Sequence, residues 1–181
     1  MAGYTGASAG IPDITYVDNS RQPDTSNYLA NTYFRFEFTR LPTVTYFCQR
    51  VNLPALTFTR AELPTQTGLT VKVPGGKYEH EDLTVSFLVD ENMLNWLEVY
   101  NWMRSIGVHD EIKETIPYED RFSDARIVIT NSAFKPNLIV KIRGAFPTSL
   151  SGIDFDSTAV ETEGVIATAT FSFTNYEIET V

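Results

Sequence analysis

Cysteine and histidine are scarce in this chain: Cys48 is its one thiol, and His80 and His109 are its two imidazoles. A lone cysteine excludes an intramolecular disulfide, so the fold must rest on its apolar core. Two histidines leave little material for general-base chemistry or for a zinc site. Long apolar runs are missing as well. No stretch approaches the roughly 18 to 20 residues of a membrane-spanning helix. The opening MAGYTGASAGIPDITYVDNS has neither the basic start nor the apolar block of a secretory signal. The expected compartment is the cytoplasm of the producing cell, or a particle assembled there. Basic residues are outnumbered, with 14 Lys+Arg against 23 Asp+Glu and a net charge of −9. That balance excludes a generic nucleic-acid coating protein, whose affinity comes from counterions released by basic side chains. It also argues against a polybasic membrane binder.

What is present is a chain of 181 residues, 43% hydrophobic and 13% aromatic, enough for one domain with a real core. Residues 1–31, rich in Gly, Ala, Ser, Asp and Asn, read as an extended N-terminal arm, and residues 32–181 as a single β-domain. From Tyr33 the pattern turns to period two: Phe34, Phe36 and Phe38 face one side, Arg35, Glu37 and Thr39 the other. Residues 41–43 read as a turn, and 44–51 as the returning strand of a hairpin. Residues 53–68 are too apolar for a solvent loop and too broken by Pro54, Pro64 and Gly68 for a central strand. Such an excursion needs a surface to lie against. A short strand at 70–73, a Pro74-Gly75-Gly76 turn, and an alternating strand through Leu83, Val85, Phe87 and Val89 follow.

One helix is expected, over about 91–106, with Asp90 as N-cap, Glu91 in its first turn and Gly107 ending it. Met93, Trp96, Leu97, Tyr100 and Met103 follow helical spacing, while Leu94, Val99, Trp102 and Ile106 widen the apolar surface beyond one stripe. A β-rich domain of this size has little depth to bury such a helix all round, which points to a subunit contact. Residues 108–125 read as a charged loop, 126–131 and 138–143 as strands, and 143–158 as a turn-rich connection. The last strand spans 165–178. Val165, Ala167, Ala169, Phe171 and Phe173 alternate there with Ile166, Thr168, Thr170, Ser172 and Thr174, so one face is almost wholly hydroxyl. The sum is a mainly β fold, an antiparallel β-sandwich or barrel with one flanking α-helix.

Catalytic and metal motifs fail in turn. Residues 73–78 lack the first glycine of a phosphate loop and the Ser or Thr after Lys77, so a hairpin turn is the better reading. Residues next to His80 on an extended chain point to opposite faces, with no second histidine nearby, so it makes a poor metal ligand. Asp154 and Asp156 would share a strand face as a carboxylate pair, but their turn-rich surroundings fit a structural turn better. Cys48, in a predicted strand, reads as a small buried hydrophobe. The expectation is a non-enzyme without metal or cofactor.

The order of elements resembles the tail tube protein family of T4-like contractile-tailed phages and the wider set of contractile injection tubes. Four blocks carry the resemblance: NTYFRFEFTRLPTVTYFCQRVNLPAL, KVPGGKYEHEDLTVSFLVDENMLNWLEVYNWMRSIG, LIVKIRGAFPTSLSGIDFDST and ATATFSFTNYEIE. Together they span residues 31–179, while the arm and the 108–125 loop stand outside the match. The resemblance implies a subunit assembling into hexameric rings that stack as a hollow tube for DNA ejection. Roughly 24 strands at about 4.8 Å and about 40° tilt give a backbone diameter of about 48 Å and a lumen on the order of 38 Å. Duplex DNA passes through such a lumen without specific binding.

Implied partners are further copies of the chain, a tail sheath, baseplate proteins, a tail terminator and a tape-measure protein, in a virion tail assembled in the bacterial host cytoplasm. Candidate inter-subunit or inter-ring contacts are Leu56, Phe58, Leu63, Trp96, Tyr100 and Trp102. The candidate lumen face is Thr168, Thr170, Ser172 and Thr174, with the wall of the assembled channel expected to be net negative. Two alternatives stay open: a baseplate tube-initiator or the inner tube of a bacterial contractile injection system, and, from another class, a monomeric β-sandwich binding module.

Overall fold

The computed structural model describes residues 28–64, 68–107, 116–156, 158 and 164–181. The expected arm therefore lies almost wholly outside the described residues, as does much of the 108–125 loop. Nine strands and two α-helices form among the described residues. The strands make two four-stranded antiparallel sheets that share one long strand, β7 (Pro136–Leu150). The first sheet runs β1 (Phe34–Phe38), β6 (Ser123–Thr130), the N-terminal part of β7, and β9 (Asn175–Thr180). The second runs from the C-terminal part of β7 through β8 (Ile166–Ser172) and β5 (Leu83–Leu88) to β2 (Cys48–Val51). β3 (Leu56–Pro64) and β4 (Thr70–His80) form a separate two-stranded ribbon.

Period two sets the core. Phe36 and Phe38, Ala125 and Ile127, and Val140 and Ile142 turn inward from the first sheet. Leu83, Val85 and Phe87, with Ala167, Ala169 and Phe171, turn inward from the second. Burying each large apolar side chain contributes about 1.5–3 kcal/mol. The small alanines of β8 make room for aromatic neighbours, and Phe38 lies 5.0 Å, ring centre to ring centre, from Phe171. Trp102 of α2 (Leu94–Ile106) closes this cluster, 5.6 Å from Phe38 and 6.1 Å from Phe171.

Several expectations are corrected. Residues 44–51 are not one strand, because Pro42–Phe47 forms a short helix, α1, before β2. Pro42 suits the first turn, where its missing N–H is not needed. Burial of Leu41 and Val44 outweighs the strand preference of the β-branched residues. β2 then pairs with β5 rather than returning along β1. The single helix expected over 91–106 starts instead at Leu94, with Asp90 outside it. Met93 adopts φ 55°, and its amide donates to the Asp90 carbonyl at 2.8 Å, so residues 90–93 form a turn. Buried Asn95 fixes that turn. Its Oδ1 accepts from the amides of Asp90 and Trp96, and its Nδ2 donates to the Leu88 carbonyl at 2.7 Å.

The first half of the turn-rich connection, 143–150, is the second half of β7. The strand bends at Gly144, which has φ 65°; a Cβ there would lie 2.7 Å from the Thr174 hydroxyl. The long terminal strand breaks opposite the same corner, after Ser172, into β8 and β9. Both strands thus pass from one sheet to the other at one bend, which closes the sandwich. Pro74-Gly75-Gly76 is no turn either, but a bulged stretch within β4. The Thr59 hydroxyl donates to the Lys77 carbonyl at 2.9 Å, and a Cβ on Gly75 would lie 2.5 Å from the Thr59 carbonyl oxygen. The chains approach there as only glycine allows.

Candidate assembly surfaces

The candidate contact residues fall on two surfaces and in the core. Leu56, Phe58 and Leu63 lie along β3 and are 56%, 55% and 53% exposed, with Val71 and Tyr78 exposed on β4 beside them. The excursion is thus a projecting ribbon carrying apolar side chains into solvent. Trp96 and Tyr100 stack on α2 at 5.3 Å with planes 14° apart. The Trp96 indole donates to the Ser151 carbonyl at 3.1 Å, and Leu94, Leu97 and Tyr100 stay exposed. Trp102 belongs elsewhere: it is 3% exposed, inside the Phe38–Phe171 cluster with the Arg40 guanidinium 5.0 Å above its ring. As a core side chain it offers a neighbouring subunit no surface. The breadth of the apolar surface on α2, rather than helical spacing, groups it with Trp96 and Tyr100 as a contact, and only packing tells the faces apart.

The hydroxyl face is real and wider than the last strand alone. Thr168 and Thr170 of β8 stand opposite Ser86 and Thr84 of β5, and Thr170 also opposite Ser149 of β7. The Ser86 and Thr168 hydroxyls are 3.1 Å apart. Ser172 continues the row opposite Phe146. Thr174 does not, since it lies past the end of β8 at the corner beside Gly144, its amide donating to the Arg143 carbonyl at 3.1 Å. These ladder positions are uncharged, with Arg50 of edge strand β2 opposite Ser86. Thr84 and Ser86 were legible as the polar half of β5, but the pairing that sets them beside Thr168 and Thr170 was not.

The outer face of the first sheet is built the other way. Glu37 pairs with both Arg35 and Arg126; Lys141 reaches Glu179 at 2.7 Å and Arg143 reaches Glu177 at 3.0 Å. An open cleft of about 780 Å³ lies against this face, lined by Arg35, Glu37, Asp124, Arg126, Lys141 and Arg143 among others.

The residues weighed for chemistry do not converge. Asp154 and Asp156 are exposed on irregular backbone rather than a strand. Asp156 accepts from the Thr158 amide and hydroxyl, and those bonds hold its carboxyl below the usual range. Burial pushes the Cys48 thiol up to about 11, against a weaker opposing backbone hydrogen bond at Arg50, so the thiolate is disfavoured. His80 sits among Tyr78, Phe173 and Tyr176. No group of three or more His, Cys, Asp or Glu side chains could hold a metal ion among the described residues. No helix is long and apolar enough to cross a membrane among the described residues.

Two sheets that share a strand leave open edges and a projecting ribbon as the surfaces available for pairing. Residues 13–179 match the family model of the phage tail tube protein, and the chain belongs to that family. It is a structural tail component, not an enzyme. The chain is 24% identical over 106 residues to the tail tube terminator protein of Enterobacteria phage T4, across 59% of this chain and 60% of that protein. In fold it is similar to the tube-terminating cap of the anti-feeding prophage: TM-score 0.62, 21% identity, 94% of this chain and 100% of that one covered. A chain in the extended sheath-tube complex of the extracellular contractile injection system PVC gives TM-score 0.62 at 18% identity, over 86% of this chain and 94% of that one.

Proposed function

We propose that this chain forms a hexameric ring that ends the tube of a contractile phage tail and continues its channel, with no catalytic step. The sequence match to the phage T4 tube terminator carries this reading. The geometry supports ring formation. β1 and β9 edge the first sheet, β2 and the C-terminal part of β7 the second, and pairing between copies turns such edges into joints. Each sheet supplies the four strands per subunit that a wide closed barrel requires. The second reading, a subunit of the stacked tube body, is favoured by the extent of the tail tube family match.

In either place the partners are further copies of the chain, the adjoining tube and the surrounding sheath, with the baseplate and tape-measure protein in the same tail. Assembly takes place in the bacterial host cytoplasm and DNA passes through the ring. The channel wall we assign is the hydroxyl face around Thr168, Thr170 and Ser172. That assignment revises the expected acidic lumen, because Thr84, Ser86, Thr168 and Thr170 are uncharged and the strands of the second sheet carry Arg50 but no carboxylate. With Arg50 its one charge among the paired strand positions, such a wall offers DNA few counterion-releasing contacts and holds it weakly.

Size-exclusion chromatography and negative-stain microscopy of the purified chain, alone and mixed with assembled tail tubes, test the reading. Rings that attach to one end of a tube and do not polymerise alone support the terminal position. Tubes of open length point to the tube body. Persistent monomers in the presence of tubes overturn both.

A further inference from the structure

Among the described residues the β3–β4 ribbon pairs only with itself, and it joins the sandwich at its root. There the Glu81 amide donates to the Ala55 carbonyl at 2.9 Å. The Asn52 side chain donates to the Asp82 carbonyl at 3.1 Å and accepts from the Thr84 amide at 2.6 Å. The remaining attachment is an aromatic one. His80, the last residue of β4, lies 4.9 Å from the ring of Tyr176 and 5.5 Å from that of Phe173, both at the β8–β9 corner, and 5.4 Å from Tyr78 of the ribbon. Its ring is where the ribbon bears on the body of the subunit.

Both ring nitrogens of His80 are closed off from solvent, and neither has a hydrogen-bond partner among the described residues. A neutral imidazole presents one donor and one acceptor, and leaving both buried and unpaired is costly and uncommon. A phenylalanine would fill the same aromatic setting without that cost. The position is therefore held by ring packing and opposed by two unsatisfied polar atoms.

We propose that His80 is the pivot of the ribbon: its nitrogens stay unpaired in the free subunit and gain partners when the ribbon meets a second copy of the chain, so assembly moves the ribbon. The exposed Leu56, Phe58, Leu63 and Val71 lose water in the same step, which drives it further. The assembly half rests on the ring-forming function proposed above, whereas the behaviour of the ribbon in the free chain does not. His80 is a positioning residue here, acting through the ribbon.

The test compares wild type with His80→Phe and His80→Ala in two measurements. Hydrogen exchange of the free full-length chain reads the amides of 56–64 and 70–80. His80→Phe keeps the ring and removes the unpaired atoms, so it should slow ribbon exchange by about tenfold. His80→Ala, which removes the ring, should speed it. Sedimentation velocity of the chain alone then reads ring assembly, where His80→Phe copies should bind one another about tenfold more weakly despite the steadier ribbon. Unchanged ribbon exchange in His80→Phe overturns the pivot. Slowed exchange with undiminished binding overturns the coupling to assembly. Wild type that neither forms rings nor binds tubes defeats the function proposed above, while the exchange comparison still decides the pivot.

Discussion

The outer faces of the two sheets differ sharply, although β7 runs through both and one core serves both. Outside the first sheet, Glu37 with Arg126, Lys141 with Glu179 and Arg143 with Glu177 form cross-strand ion pairs. Outside the second, Thr84, Ser86, Thr168 and Thr170 form an uncharged hydroxyl ladder. Exposed ion pairs add little stability, so the charged face is better understood as a solvated or partner-matching surface. A hydroxyl face can be covered, or can line a narrow passage, without the cost of desolvating charge. The inward pattern is alike in the two sheets and fixes the fold; the outward pattern is free to differ, and it is there that assembly is written.

The most damaging way to break the comparison is to remove what the sheets share. Phe171→Ala empties the junction with Phe38 and Trp102 and should cost about 3–5 kcal/mol, read from the urea midpoint. Asn95→Ala strands the Leu88 carbonyl and the Asp90 amide at the start of α2. It should cost about 1–3 kcal/mol by the same assay and expose that end of the second sheet to hydrogen exchange. Thr168→Lys with Thr170→Lys sharpens the functional contrast. Rings should still form, and assembled particles should now retain duplex DNA on a filter in a salt-sensitive way. Loss of the rings would instead make that face a subunit joint.

Lys141→Ala, on the charged face, should change stability by only about 0–1 kcal/mol, with the difference vanishing at high salt. Smallest of all at neutral pH is the effect of Cys48, which emerges only under alkaline conditions. With its thiol raised to about 11 from 9.0, folding favours the protonated form. The contribution is present below pH 9 and is lost as pH rises towards 11, so wild type should lose stability there faster than Cys48→Ala. At neutral pH the native thiol should react slowly with a disulfide reagent and quickly in urea.

Much of this fold was legible because strand alternation is a local signal. Phe36 and Phe38, Val85 and Phe87, Ala169 and Phe171 announced their buried faces by spacing alone, and the hydroxyl row at Thr168, Thr170 and Ser172 followed from the same count. The apolar, proline-interrupted excursion was recognisable as a segment in need of a surface to lie against, but not as the strand of a ribbon. Pairing was not, because the partner of a strand is chosen by distant residues: β2 looked like the return of β1 and lies against β5 instead. The helix was visible but its phase was not, since a helix apolar on most sides leaves Trp102 and Tyr100 indistinguishable until one is seen in the core and the other at the surface.

By itself the sequence determined which residues turn inward, that no disulfide could assist them, and that the surface would be acidic overall, because these follow from side-chain chemistry and the period of a strand. Only the tertiary structure decided where that acidity goes. The bend at Gly144 and Thr174 carries β7 and the last strand from one sheet to the other, placing the carboxylates of β9 behind the hydroxyls of β8. A corner made by two residues distant in sequence is a long-range event, and local pattern cannot encode it.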